Sequence, residues 1–373
     1  MSSRSTSPKT PFGGQATEPR LTRRRLLGGL ATMPALFGLS ACNPSGEPEL
    51  PPLGTTGRAA LLLPLSGQHT KLGQVMAEAA RLGGAVDGPG AEIALHDAGA
   101  DETSAVAAAN RAVEAGANMI LGPLFSNQSQ AVAAAVGARV PVISFSNNDA
   151  IAGRNLYVFG ITPLQSAKAV LRFASARGMR RIAVAVPPGA YGEQAVAAAR
   201  KVAPEFGITL SDPLQASDPG GLVSRLAAAS GGRLPDAVYL PAASAGLAPM
   251  VDAVKEAGLQ VLGSEQWATI PPHQLGALNQ AWFAGPDPIS FEAFALGLEE
   301  RIEGEAGVTA GLAFDAANMA RLLGRLGQQD PKGLHRFAGF NGVLGPFRFM
   351  ETGLVDRQLS ILEVREGTTI LVA

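Results

Sequence analysis

One cysteine, Cys42, stands in 373 residues, so no internal disulfide and no cysteine-based zinc site can form. The four histidines (His69, His96, His273 and His335) are scattered, with no HExxH and no other metal-ligand spacing. No GxSxG elbow, no P-loop and no GxGxxG after a strand occurs, and the acidic residues are dispersed. These absences leave nucleophilic, metal-dependent and nucleotide-dependent chemistry without a signature. We expect no enzyme, no metal and no cofactor. Charge is also scarce: 16% of residues are charged and the net charge is −1. Residues 1–41 hold six basic residues and one acidic residue, so the remainder carries −6. Nucleic acid requires a basic footprint and is excluded as a partner.

The cysteine sits behind a short apolar run. "LTRRRLL" (Leu21 to Leu27) is followed by the 16 residues Leu26 to Ala41, interrupted only by Gly, Thr, Pro and Ser. A spanning helix needs ~20 apolar residues, so a basic head with this shorter middle predicts an export signal rather than a membrane span. "LSAC" (Leu39 to Cys42) resembles the bacterial lipobox, which implies cleavage before Cys42 and lipidation of its thiol. "TRRRLL" also resembles the twin-arginine export signature, with Arg23 and Arg24 as the pair. "NPSGEPELPPLGTTG" (Asn43 to Gly57) is rich in Pro and Gly and has no apolar period, and residues 42–57 read as a tether. Acyl chains would hold the protein on a membrane surface, each buried CH2 contributing ~0.8 kcal/mol. Asn43 lacks the Asp that favours inner-membrane retention in enterobacterial lipoproteins. The resemblance therefore points to the periplasm and to the outer membrane rather than the inner one.

The whole chain is 46% hydrophobic, and the part from residue 58 onward exceeds the ~250–300 residues that one core serves, so two lobes are expected. Short apolar runs recur: "AALLL" (Ala59 to Leu63), "IAL" (Ile93 to Leu95), "MIL" (Met119 to Leu121) and "VPVI" (Val140 to Ile143). A second series follows: "IAVAV" (Ile182 to Val186), "ITL" (Ile208 to Leu210), "AVYL" (Ala237 to Leu240) and Val261–Leu262. Strands apolar on both faces suit a parallel sheet covered by helices. The segments between them carry a 3.6-residue period, as in Leu72, Val75, Met76 and Ala79, and in Leu164, Ala167, Leu171 and Ala174. Two more helices are predicted near 291–303 and 309–327, with Phe291, Phe294, Ala295, Leu298 and Ile302 on one face. A β-rich tail follows over 345–367. The fold class is α/β, with two doubly wound, Rossmann-like lobes.

Ligands of open α/β sheets bind beyond the carboxyl ends of the strands. The loops there are "PLSGQHT", "GPLFSNQS" and "SFSNND" in the first series, and "PPGAYGEQ", "PAASAG" and "GSEQWAT" in the second. Several run straight into helices, whose free N–H groups and Ser or Asn caps favour carboxylates and other polar groups. Ser66, Ser126, Ser144, Ser146 and Asn147 make a neutral, hydroxyl-rich rim. For each serine alone, helix capping is the simpler reading.

In their order, "AALLLPLSGQHTKLGQ", "HDAGADETSAVAAANRAVEAGANMILGPLFSNQSQ", "VPVISFSNN" and "VFGITPLQSAKAVLRFASARGMRRIAVAVPPGAYGEQ" resemble type 1 periplasmic binding proteins of the leucine/isoleucine/valine-binding class. The resemblance covers about 58–373. It implies two lobes joined by three crossovers around a cleft, with 58–160 and 286–352 as lobe I and 161–285 and 353–373 as lobe II. It places Phe125, Ser126, Ser144 and Ser146 against a ligand, with Tyr191 of the "YG" pair reaching from the other lobe. "LPAASAG" (Leu240 to Gly246) lacks the acidic or aromatic partner for an ammonium group, which leaves Glu265 or Trp267 to take that part. "LLLPLSGQ", "VISFSNN" and "GITPLQSAKAVLRFA" look closer to penicillin-binding-protein activators, lipoproteins of the same fold. That likeness ranks first a non-catalytic regulator whose partner is a bifunctional peptidoglycan synthase. Second comes a substrate-binding lipoprotein that hands an amino acid or another small polar solute to an ABC permease.

Overall fold

The computed structural model describes residues 58–85 and 93–373. The export signal with Arg23 and Arg24, the lipidation candidate Cys42 and the tether lie outside the described residues. The chain opens with β1 (Ala59–Leu63), α1 (Thr70–Ala85), β2 (Ile93–Asp97), α2 (Glu102–Glu114), β3 (Met119–Leu121), α3 (Ser126–Val136), β4 (Val142–Ser144) and β5 (Leu156–Val158). A second series runs α4 (Pro163–Ala176), β6 (Arg181–Val186), α5 (Ala190–Val202), β7 (Thr209–Leu210), β8 (Leu214–Gln215), α6 (Leu222–Ala229), β9 (Ala237–Tyr239), α7 (Leu247–Glu256), β10 (Gln260–Gly263) and β11 (Trp282–Gly285). Then come α8 (Pro288–Glu299), α9 (Val308–Arg325), α10 (Pro331–Leu334), β12 (Phe347–Phe349), β13 (Val355–Arg357), β14 (Ser360–Arg365) and β15 (Thr368–Leu371).

The first sheet has the order β2-β1-β3-β4-β5 and is parallel throughout. The second repeats that order as β7-β6-β9-β10-β11, again parallel. The antiparallel pair β14 and β15 extends the second sheet beyond β11. All five residues of β1 are buried, as helices on both faces of a parallel sheet require. The chain passes between lobes three times: after β5, after β11 and after β13. The second pass sends α8 and α9 back to the first lobe, where α9 packs along α1. The hairpin β12–β13 covers the edge of β5 through a bridge between Val158 and Leu354. This is the α/β architecture of two doubly wound lobes joined by three crossovers.

Helix α4 starts directly after the first crossover, and its start is written in the sequence. The Thr162 side chain accepts from the Gln165 N–H, and the Gln165 side chain accepts from the Thr162 N–H, forming a capping box with Pro163 at the first helical position. Three strands escape the apolar-run reading. β5 ("LYV") follows Asn155 and has three residues, β11 ("WFAG") has four and ends on Gly285 before a proline, and β8 has only two. α8 ends at Glu299, so Ile302, expected on its apolar face, lies past the helix.

Candidate functional site

A cavity of about 570 Å³ opens between the lobes at the carboxyl ends of both sheets. The first lobe contributes Leu124, Phe125 and Ser126 after β3, Phe145, Ser146 and Asn147 after β4, and Val308, Thr309 and Leu312 from α9. Gly160 and Ile161 come from the first crossover, and Ala243, Glu265, Gln266 and Thr269 come from the second lobe. Gly160 must be glycine because a Cβ there would lie 2.3 Å from the Ser146 carbonyl oxygen. Close packing of the crossover against the β4 loop thus shapes the wall.

The first-lobe side is a neutral hydroxyl array. Ser126 Oγ and Ser146 Oγ lie 2.7 Å apart, and Ser146 Oγ accepts from the Asn148 N–H at 3.1 Å. Ser126 opens α3, whose N-cap position is occupied by Phe125 and makes no side-chain cap. The N-terminal N–H groups of α3 are therefore not capped by a side chain, next to two hydroxyls, an arrangement that favours an anion or a carbonyl oxygen. Ser144 is fully buried beneath this surface. Its Oγ meets Ser129 Oγ at 2.7 Å and accepts from the Ser146 N–H at 3.1 Å, so it braces the β4 loop against α3. Asn147 is exposed at the rim. Behind this wall the His69 ring lies 4.9 Å from that of Phe125.

The second-lobe side is built differently. Glu265 begins the 3-10 turn after β10 and is 6% exposed, yet it lines the cavity. Ser166, in the first turn of α4, donates its hydroxyl to Glu265 Oε2, and the Glu265 N–H donates back to Ser166 Oγ at 3.4 Å. Ser264 Oγ donates to the Pro241 carbonyl at 2.5 Å, and Tyr191 Oη lies 3.0 Å from Ser264 Oγ. Tyr239 Oη is buried without a hydrogen-bond partner. Burial pushes the Glu265 carboxyl above its ordinary value, although the hydroxyls of Ser166, Ser264 and Tyr191 oppose the shift. Burial likewise raises the Tyr191 and Tyr239 phenols, with the nearby acid adding to both shifts. No lysine, arginine or histidine pairs with Glu265 among the described residues.

The predicted site residues thus divide. Phe125, Ser126, Ser146, Asn147 and Glu265 converge on the cleft. Ser144 and Tyr191 stand behind its surface. Tyr191, expected to reach across from the opposite lobe, has its hydroxyl turned to Ser264 and Pro241 within its own lobe. Ser66 is exposed after β1 and is not among the cleft-lining residues. Trp267 is fully buried: its ring lies on Gly263, where a Cβ would come within 2.4 Å of it, and 5.9 Å from the ring of Phe283. It is a core side chain that backs a second cavity of about 400 Å³, not a wall of the cleft. Ser166, Ser264 and Tyr239 were not anticipated. Ser264 falls in the quoted loop "GSEQWAT", but nothing local marks Ser166, which reaches Glu265 across 99 positions of sequence. Among the described residues no group of three or more His, Cys, Asp or Glu side chains could hold a metal ion, and no helix is long and apolar enough to cross a membrane.

Comparison with solved structures finds the same architecture. A putative branched-chain amino acid ABC transporter protein from Rhodospirillum rubrum superposes with a TM-score of 0.71 at 21% identity, over 85% of this chain and 100% of that one. The C-domain of LpoA from Haemophilus influenzae, a regulator of PBP1A, gives 0.65 at 18% identity, over 84% and 99%. The leucine binding protein LivK from Thermotoga maritima gives 0.60 at 20% identity, over 84% and 97%. At these identities the likeness is one of fold. No curated protein sequence matches the chain significantly. The sequence profile described as periplasmic binding protein matches residues 56–369, nearly the whole globular part, and the chain belongs to that family.

Proposed function

We propose that the protein is a non-catalytic, solute-binding lipoprotein of the cell envelope. Its inter-lobe cleft takes a small molecule with an apolar body and a protonated amine, and delivers it to an ABC permease. The observation that carries this reading is Glu265, the one ionisable side chain among the cleft-lining residues, buried and without a cation of its own. A carboxyl kept in so dry a place is costly unless a positive group completes it. Leu124, Phe145, Ile161, Val308 and Leu312 form apolar walls for the ligand body. Ser126, Ser146 and the start of α3 face its other polar end. The volume falls within the ~300–1,000 Å³ range of small-molecule sites.

This order reverses the one drawn from sequence resemblance, because a regulator acting through its outer surface has no use for an unpaired acid in the cleft. Regulation of a bifunctional peptidoglycan synthase remains the second reading. It is favoured by the likeness to the LpoA C-domain over 99% of that domain. Either role agrees with export and with anchoring through Cys42 at a membrane, the outer one preferred.

One preparation tests both readings. In a thermal-shift screen of amino acids and short amines, ligand at ~100 times its dissociation constant stabilises the fold by ~2.7 kcal/mol. The shift should vanish in Ser146→Ala. A flat screen, beside a synthase whose activity rises on adding the protein, would reverse the ranking. Cys42→Ala should release the protein from membranes, and wild-type protein that is soluble and begins at another residue would refute lipidation.

A further inference from the structure

The hydroxyls around Glu265 can be followed proton by proton. Ser264 has one hydroxyl hydrogen and spends it on the Pro241 carbonyl. Tyr191 Oη lies 3.0 Å from Ser264 Oγ and 3.5 Å from the Pro241 oxygen, so its hydrogen is directed there. Ser264 Oγ also accepts from the Gln266 N–H at 3.1 Å. That leaves the Ser166 hydroxyl as the direct hydrogen-bond donor to the Glu265 carboxyl, with the Tyr191 and Ser264 hydroxyls close enough to favour its charged form more weakly. Every element packed around the acid presents a neutral group: Ser166 from α4, Tyr191 from α5, Tyr239 from β9, and Ser264 and Gln266 beside it. Across the cleft stand Ser126, Ser146, Asn147 and Thr309, also uncharged. His69, whose ring packs at a tilt against Phe125, belongs to the opposite lobe and does not line the cavity. A carboxylate here would have hydroxyls but no cation around it at a position only 6% exposed, whereas the acid form carries no charge into that environment.

We infer that ligand binding in this cleft is a proton exchange: Glu265 holds a proton while the cleft is empty and releases it when a ligand ammonium arrives beside it. This rests on the solute-binding reading. The step balances: neutral acid and ammonium become a carboxylate–ammonium pair, and one proton passes to bulk water. By linkage, affinity then weakens as pH falls, by up to about tenfold per pH unit while the empty site stays protonated. Acid conditions would favour release of the solute and alkaline conditions its capture. Because Ser166 follows the first crossover directly, the same exchange loads or relaxes the contact that ties the 3-10 turn to the start of α4.

The test has a ligand-free arm and a ligand arm, both on the full chain in detergent. In the first, infrared difference spectra of wild type and Glu265→Gln are compared from pH 5 to 9. A protonated-carboxyl C=O band near neutral pH, missing in the variant, is expected. Its absence would overturn the inference while leaving solute binding intact. In the second, calorimetry in two buffers of different ionisation enthalpy follows binding of L-leucine, of the other standard amino acids and of short alkyl amines, with 4-methylpentanoate as the amine-free control. About one proton should leave per amine bound at pH 6. Glu265→Gln should release none and bind at least tenfold more weakly, and 4-methylpentanoate should release none. An amine that binds without proton release overturns the inference alone. If no amine binds at any pH, both the inference and the solute-binding reading fall.

Discussion

Two buried carboxyls lie among the described residues, and their surroundings are opposite. Asp315 on α9 is 1% exposed and is fully answered: Arg357 Nη1 donates to its Oδ2 at 3.1 Å, the Val343 N–H to Oδ1 at 2.7 Å and the Leu344 N–H to Oδ2 at 3.4 Å. The guanidinium in turn lies over the edge-to-face pair of Phe159 and Phe347, 4.8 Å from each centroid. Phe159 opens the first crossover, Phe347 belongs to β12 and Arg357 ends β13, so the pair fastens α9, the first crossover and the strand leading to the third. Glu265 is almost as buried, yet it meets only hydroxyls. Burial alone therefore does not mark a functional acid. The absence of an internal counter-charge, at a wall facing a cavity, separates an acid that serves the fold from one that waits for a ligand.

The comparison predicts contrasting responses. Asp315→Ala strands a buried arginine and should cost about 3–5 kcal/mol, measured by equilibrium denaturation. A loss below about 1 kcal/mol would show that water or a rearranged partner can replace the acid. Next in size is Gly160→Ala, which forces the crossover away from the Ser146 carbonyl and should cost about 1–3 kcal/mol. It should also weaken any amine that binds the cleft, because the wall carrying Ser146 shifts. Asn155→Ala is a control remote from both acids. Asn155 Nδ2 lies within hydrogen-bonding distance of the Ala133, Gly137 and Val140 carbonyls, at 3.1, 3.0 and 3.0 Å. Its loss should cost about 1–3 kcal/mol in stability and leave amine binding unchanged.

The same contrast explains what the sequence could tell. Doubly wound lobes were legible because both-face-buried strands read as unbroken apolar runs, as in "AALLL" and "IAVAV". The first-lobe side of the cleft was legible too, since its hydroxyls follow β3 and β4 directly and position along a strand is local information. The link between Asp315 and Arg357 was not: the two are 42 positions apart, and each looks alone like a dispersed surface charge. Tyr191 was recognisable by its "YG" neighbour, but the direction of its hydroxyl depends on Ser264 and Pro241, which only folding brings near. Trp267 misled for a related reason. Its place in a cleft loop says nothing about the missing Cβ at Gly263, which draws the ring inward.

The smallest predicted effect discriminates best. Burial raises the carboxyl of Glu265 in the folded chain, so between its ordinary value and the raised one the folded state binds more protons than the unfolded state. Stability must then fall as pH rises through that window and recover as pH is lowered again, the reverse of an acid stabilised by an ion pair. Glu265→Gln, which imitates the protonated acid, should remove this contribution. Its melting temperature should exceed that of wild type at pH 8 and approach it near pH 5, with a flatter profile between. Asp315→Asn should not reproduce that pattern, because losing the charge there leaves Arg357 uncompensated at either pH. If wild type and Glu265→Gln instead melt in parallel from pH 5 to pH 8, Glu265 carries the same charge throughout. It would then be an ordinary structural acid like Asp315, and the distinction between the two would collapse.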